Sequence, residues 1–213
     1  MKMMESFNAS DHLDYIIDTC RSTDFLHKTT ILTGRNGSGK SLIRKMISGK
    51  IEKELEKEGR TNIDSSHIVS SVSMEFRTYN DPMWAGINFA RHDAPENPTS
   101  LETFRFISGL LNNSDRYLVI DEPEIGMAEE LQLLLCNFIN EKLPTLDTFG
   151  ILIITHSRTI VNNILHDQFI NLDGMTEDQW INRIPQLPSY TLEEFEERSH
   201  QLFLEVNKRS SKK

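Results

Sequence analysis

Gly34-Arg35-Asn36-Gly37-Ser38-Gly39-Lys40-Ser41 is the stretch that decides how this chain folds. A glycine, four further residues and then Gly-Lys-Ser is the spacing of a phosphate-binding loop, and each residue type answers a need of that chemistry. Gly34, Gly37 and Gly39 let successive backbone N–H groups turn toward one anion where side chains would clash. Arg35, Asn36 and Ser38 complete the wrap. Lys40 is suited to neutralise phosphate charge, and Ser41 to place its hydroxyl on Mg2+. The apolar run Thr29-Thr30-Ile31-Leu32 precedes the loop, and an amphipathic stretch beginning Ser41-Leu42-Ile43 follows it. The predicted order is therefore buried strand, tight loop, and a helix whose positive end faces the anion. A plain glycine turn before a helix is the competing reading, and two further segments argue against it.

Tyr117-Leu118-Val119-Ile120 is a continuous apolar run that ends in Asp121-Glu122-Pro123. Such a run fits a buried parallel strand with both acids at its C-terminal edge, where open α/β sheets bind ligands. Asp121 is then placed to hold Mg2+ and Glu122 to polarise an attacking water, while Pro123 stops the strand. Ile151-Leu152-Ile153-Ile154 ends in Thr155-His156-Ser157, which puts His156 at the same edge, within reach of a γ-phosphate or the water. Taken singly, solvated turn acids or an exposed histidine are ordinary. Three polar strand ends in this order are not three independent accidents.

The combination resembles the ATP-binding-cassette class of P-loop ATPases, with Walker A, Walker B plus catalytic glutamate, and switch histidine in sequence. Asp121-Glu122-Pro123-Glu124 and Ile153-Ile154-Thr155-His156-Ser157 are similar to motifs of the overcoming-lysogenization-defect and RecF/SMC-like groups rather than the transporters. The resemblance covers roughly residues 25 to 172. It implies an α/β fold of mostly parallel sheet flanked by helices, with a reduced helical lobe and C-terminal helices. It also implies ATP and Mg2+ as ligands and an ATP-dependent homodimer coupled to a separate effector protein or nucleic acid. The chain departs from the class in three places. No Leu-Ser-Gly-Gly-Gln signature occurs, and Ser100 of Thr99-Ser100-Leu101-Glu102 is either its positional counterpart or a plain helix cap. No glutamine lies between residues 50 and 100, and Ala128-Glu129-Glu130 stands where an aspartate is usual.

Composition fits one soluble domain spanning 1–213, with a small helical lobe over 77–113 and C-terminal helices over 175–207. No apolar stretch is long enough to cross a bilayer and Met1-Lys2-Met3-Met4-Glu5 lacks a signal pattern, so a cytoplasmic location without membrane insertion is expected. A net charge of −9 disfavours a broad basic face for duplex DNA, although it leaves room for a local basic patch. Cys20 and Cys136 read as reduced core thiols.

Periodicity supplies the rest. Ser10 to Cys20 reads as a helix, as does the stretch carrying Ile43, Ile47, Ile51 and Leu55, closed by Gly59. His67 to Phe76 reads as a strand. Glu129 to Leu143 carries Leu131, Leu134, Leu135, Phe138 and Ile139 on a core-facing stripe. Arg158 to Leu165 is a short helix and Gln168 to Leu172 a last strand. Thr176-x-x-Gln179 and Thr191-x-x-Glu194 are capping boxes opening two helices. Trp180, Leu187, Phe195, Leu202 and Phe203 are expected to pack those helices on the sheet, and Phe7, Tyr15 or Phe25 to stack on adenine. The resulting expectation is an ATPase that binds Mg·ATP and hydrolyses it slowly. The alternatives are a non-hydrolysing ATP-gated binding module and, less favoured, a P-loop kinase.

Overall fold

All five residues of Thr29–Thr33 are buried, so this strand needs a neighbour on each edge and a helical layer on each face. The structure, a computed structural model, describes residues 8–57, 69–72, 99–112, 116–146, 148–183 and 191–211, and it supplies both. In chain order the described elements are α1 (Ala9–Ser22), β1 (Thr29–Thr33), α2 (Lys40–Lys57), β2 (Val69–Val72), α3 (Thr99–Asn112), β3 (Tyr117–Asp121) and α4 (Glu129–Lys142). A 3-10 turn (Leu143–Thr145) leads to β4 (Gly150–Ile154), α5 (Arg158–Asn163), β5 (Gln168–Asn171), α6 (Glu177–Asn182) and α7 (Leu192–Ser210).

The described strands pair in the order β2-β3-β4-β1-β5, every pairing parallel. Registers Leu32↔Ile154, Thr33↔Asn171 and Asp121↔Ile154 bring the C-terminal ends of β1, β3, β4 and β5 to one edge. Alternation along each strand then sorts the core into two layers. Ile31, Leu118, Ile120, Ile151 and Ile153 pack with Ile107 of α3, Leu135 and Ile139 of α4, Ile160 of α5 and Trp180 of α6. Leu32, Val119, Leu152 and Ile154 face the other way, onto Ile16 and Cys20 of α1 and Ile43, Ile47, Ile51 and Leu55 of α2. Neighbouring strands β1 and β4 therefore send their following helices, α2 and α5, to opposite faces. That divergence opens a crevice at the carboxyl edge, the place where parallel sheets receive ligands.

The four-residue spacing of α2 is borne out, Ile43, Ile47, Ile51 and Leu55 each being buried and worth about 2 kcal/mol. Both capping boxes form, and Cys20 and Cys136 are buried thiols pushed up to about 11 by burial. Two expected core residues are not core. Leu134 is 58% exposed because the inward stripe of α4 is centred on Leu135, Cys136 and Ile139, and Leu134 lies about 100° around the helix from Leu135. Phe203 is 61% exposed, its neighbour Leu202 taking the inward position of α7. The segment 77–98 of the expected lobe, Gly59, Leu187, the Phe195 side chain and the strand beyond Val72 lie outside the described residues. Among the described residues no helix is long and apolar enough to cross a membrane.

Candidate functional site

The loop between β1 and α2 is built around its glycines. Gly39 has φ +94°, and a Cβ there would lie 2.5 Å from Ile16 Cδ1 of α1; one at Gly34 would lie 2.5 Å from Ser38 Oγ. Side chains are therefore excluded where the backbone turns. Its outer edge is tied down by neighbours: His12 Nε2 lies 2.9 Å from Ser38 O, and Arg35 N–H donates to Asp173 Oδ2 at 2.9 Å. Lys40 is buried, and its ammonium donates to Gly34 O (3.1 Å) and Arg35 O (3.0 Å), which folds it back over the loop. Burial lowers the Lys40 pKa, and the nearby charges of Glu122 and Asp121 oppose that shift. Asn36, Gly37 and Gly39 amides and the buried Ser38 Oγ meet no partner among the described residues. Unsatisfied donors curled around a cation are what an anionic ligand completes, so a phosphate chain fits this loop.

Asp121, the last residue of β3, lies across β4 from the loop. Its Oδ2 accepts from Arg44 Nη1 at 3.0 Å, in a pair whose side chains are 14% and 17% exposed. Arg44 was not legible as a site residue, yet a signal existed: it stands one helical turn after Lys40 on the same side of α2. Glu122 adopts φ +51°, a conformation that costs a non-glycine residue about 1 kcal/mol. Its N–H is anchored to Ile154 O at 2.8 Å, so the β3 and β4 ends hold that strain in place. Glu122 Oε1 lies 3.4 Å from His156 Nε2, without hydrogen-bond alignment.

Polar contacts stitch the β4 end to the acid turn. Glu124 Oε1 accepts the His156 N–H at 2.6 Å, and the nearby Thr155 side chain favours the charged carboxylate, while Glu124 Oε2 is buried with no partner among the described residues. Burial pushes the Glu124 carboxyl above its ordinary pKa, partly offset by those neighbours. Ser157 caps α5 through Ile160 N–H and donates its own proton to Gln132 Oε1 at 2.5 Å; Gln132 in turn donates to Met127 O. Thr159 donates to Glu129 Oε1. His156 is held on the neutral side: burial, then the Lys40 charge, lower its pKa against the pull of Glu122.

The structure thus brings Lys40, Asp121, Glu122 and His156 to one crevice, with Glu124 and Arg44 as unforeseen members. Ser41 is exposed in the first turn of α2, at the same edge as Asp121. Among the described residues no three His, Cys, Asp or Glu side chains gather as a metal cage, so an ion beside Ser41 and Asp121 needs phosphate and water oxygens to fill its shell. Ser100 lies inside α3, whose described start is Thr99, and not at a preceding cap position; its side chain is outside the described residues. Phe25 is fully buried and cannot stack on a base, which corrects one adenine candidate. Tyr15 keeps an exposed ring, with its hydroxyl donating to Asn171 O, and Phe7 is outside the described residues. No protein-family model matches the chain, and no curated protein matches it.

Proposed function

We propose that this chain is an ATP-binding-cassette-type ATPase that binds Mg·ATP at the Gly34–Ser41 loop and hydrolyses it slowly. One observation carries the reading: a buried, loop-held lysine, an acid pair and a neutral histidine converge from three adjacent strand ends on one crevice. Lys40 and the free amides of Asn36, Gly37 and Gly39 hold the phosphates. Ser41 and Asp121 hold Mg2+, which neutralises phosphate charge when bound. Glu122 orients the attacking water and accepts its proton, and His156, neutral near pH 7, senses the terminal phosphate through a ring nitrogen. Catalysis on this reading rests on position and charge. The nucleotide gates a cytoplasmic homodimer, with Ser100 offered in trans, and the dimer acts on a separate effector protein or nucleic acid.

A second reading has its own support. Arg44 already neutralises Asp121, so an ion must displace or share that guanidinium, which favours a module that holds ATP and turns it over negligibly. Light scattering of Glu122→Gln with and without Mg·ATP, alongside phosphate release by the wild type, separates the two. An ATP-dependent doubling of mass with steady release that vanishes in the variant supports the ATPase. Absence of release, with ATP bound, favours the module; no ATP binding refutes both.

A further inference from the structure

Acids outnumber bases in this chain, 32 to 23, so a surface cation finds a carboxylate easily. Arg44 pairs with Asp121, Arg209 with Asp14 and Glu205, Lys50 with Glu54, and Lys28 with Asp24. Arg158 and Arg183 do not: neither guanidinium meets a carboxylate among the described residues. Both are held in place all the same. Arg183 lies over the Trp180 ring, 4.5 Å from its centroid, and Trp180 is fully buried. Arg158 donates to the Arg183 carbonyl, which joins the first turn of α5 to the end of α6. Stacking accounts for Arg183 alone. It does not account for a second guanidinium brought beside it, at the start of a helix where the backbone dipole favours an acid.

The pair stands at the ligand edge. Arg158 is two residues beyond His156, and the Arg183 charge is felt at His156. Arg35, in the Gly34–Ser41 loop, is felt at Arg183 in turn, and its partner Asp173, 3.8 Å from Arg35 Nε, opposes the two like charges. Burial and then the like charge of Arg158 disfavour the Arg183 cation, with Asp173 opposing. Among the described residues, three guanidiniums and the Asp173 carboxylate thus act on one another on the β5 side of the crevice, opposite the acids on the β3 side.

We propose that Arg158 and Arg183, with Arg35 at their edge, form a second oxyanion site that takes a phosphate group lying outside the Gly34–Ser41 loop. Guanidinium forks match phosphate oxygens and, already immobilised, lose little freedom on binding. Two sources share this chemistry: the terminal phosphate of a bound nucleoside triphosphate, which rests on the function proposed above, and the backbone of a nucleic-acid strand, which does not.

The test measures affinities of full-length wild type, Arg158→Ala, Arg183→Ala and Arg183→Lys for Mg·ATP, Mg·ADP and a fluorescent single-stranded oligonucleotide, with thermal melts as the control for folding. A charge-assisted bond is worth about 1.5–3 kcal/mol, so each alanine variant is expected to lose roughly 10- to 100-fold for its ligand. Loss for ATP but not ADP identifies the terminal phosphate. Loss for the oligonucleotide with ATP unchanged identifies nucleic acid, with a salt slope shallower by about one per arginine. In either case Arg183→Lys recovers part of the affinity. Losses under about twofold for every probe overturn the site, as do equal losses for ATP and ADP without any for the oligonucleotide. A wild type that binds the oligonucleotide through these arginines but no nucleotide would keep the site and refute the ATPase.

Discussion

Glu124→Ala should unfasten the His156 loop. The carboxyl accepts the His156 N–H at 2.6 Å, beside Thr155, which is fully buried. Alanine removes the acceptor and leaves the His156 N–H without this partner, which costs about 2–3 kcal/mol. In a chain of 213 residues that corresponds to a fall in Tm of roughly 4–12 °C. Glu124→Gln keeps an acceptor oxygen and should stay within about 0.5 kcal/mol of wild type under acidic conditions. The pH dependence separates the two effects. Burial raises the folded-state pKa of Glu124 above its ordinary 4.5, so the folded chain holds this proton more tightly than the unfolded one. The associated stability is complete below about pH 4.5 and is lost as pH rises through the raised value. The glutamine variant has no proton to lose, so it should gain on wild type between pH 4.5 and 8. Urea denaturation across that range reads both effects. An alanine variant within about 0.5 kcal/mol of wild type would refute the clamp, and a glutamine variant that falls behind as pH rises would refute a raised Glu124.

Arg44→Met removes the guanidinium bonded to Asp121, a largely buried carboxylate, at a cost of about 1–3 kcal/mol in urea denaturation. On the proposed function, ion and guanidinium compete for one carboxylate, so in ATP titrations the Mg2+ concentration at half-saturation should fall several-fold; a rise instead would mean that Arg44 presents Asp121 to the ion. His156 should titrate below its ordinary 6.5 when followed by NMR, because burial and the Lys40 charge both disfavour the imidazolium. Lys40→Met should move that midpoint upward, and a wild-type midpoint at or above 6.5 would contradict the buried setting.

The elements were legible wherever one period ran uninterrupted. Ile43, Ile47, Ile51 and Leu55 announced α2, and the apolar runs before Asp121 and His156 announced β3 and β4, because full burial on both faces leaves no polar interruption. Leu134 misled because a leucine at the margin of a helical stripe has the same spacing as one at its centre. The convergence of Lys40, Asp121, Glu122 and His156 on one sheet edge was legible from the residue types that end the apolar runs. Arg44 and Glu124 were missed for a different reason. Their roles depend on what stands opposite them after folding, and Asp121 is 77 positions from Arg44 while His156 is 32 from Glu124. Strand order was likewise hidden: no local pattern says that β4, the fourth strand in sequence, lies between β1 and β3.

That order has a mechanical consequence. With β4 in the middle, the His156 turn separates the Gly34–Ser41 loop from the acids and is bonded to the acid side by Glu124 and Gln132. The loop itself is bonded the other way, to the turn after β5 through Arg35 and Asp173 and to α1 through Ser38 and His12. The crevice is therefore walled by two blocks, and the Arg44–Asp121 pair crosses between them. A divalent ion held by Ser41 and Asp121 would, on the proposed function, have to displace or share that pair, so its arrival would change what joins the blocks as well as what charge they carry. On the proposed function, nucleotide would then be reported outward at two points: the β3–β4 block that carries Glu122 and His156, and the arginine rim at Arg158 and Arg183.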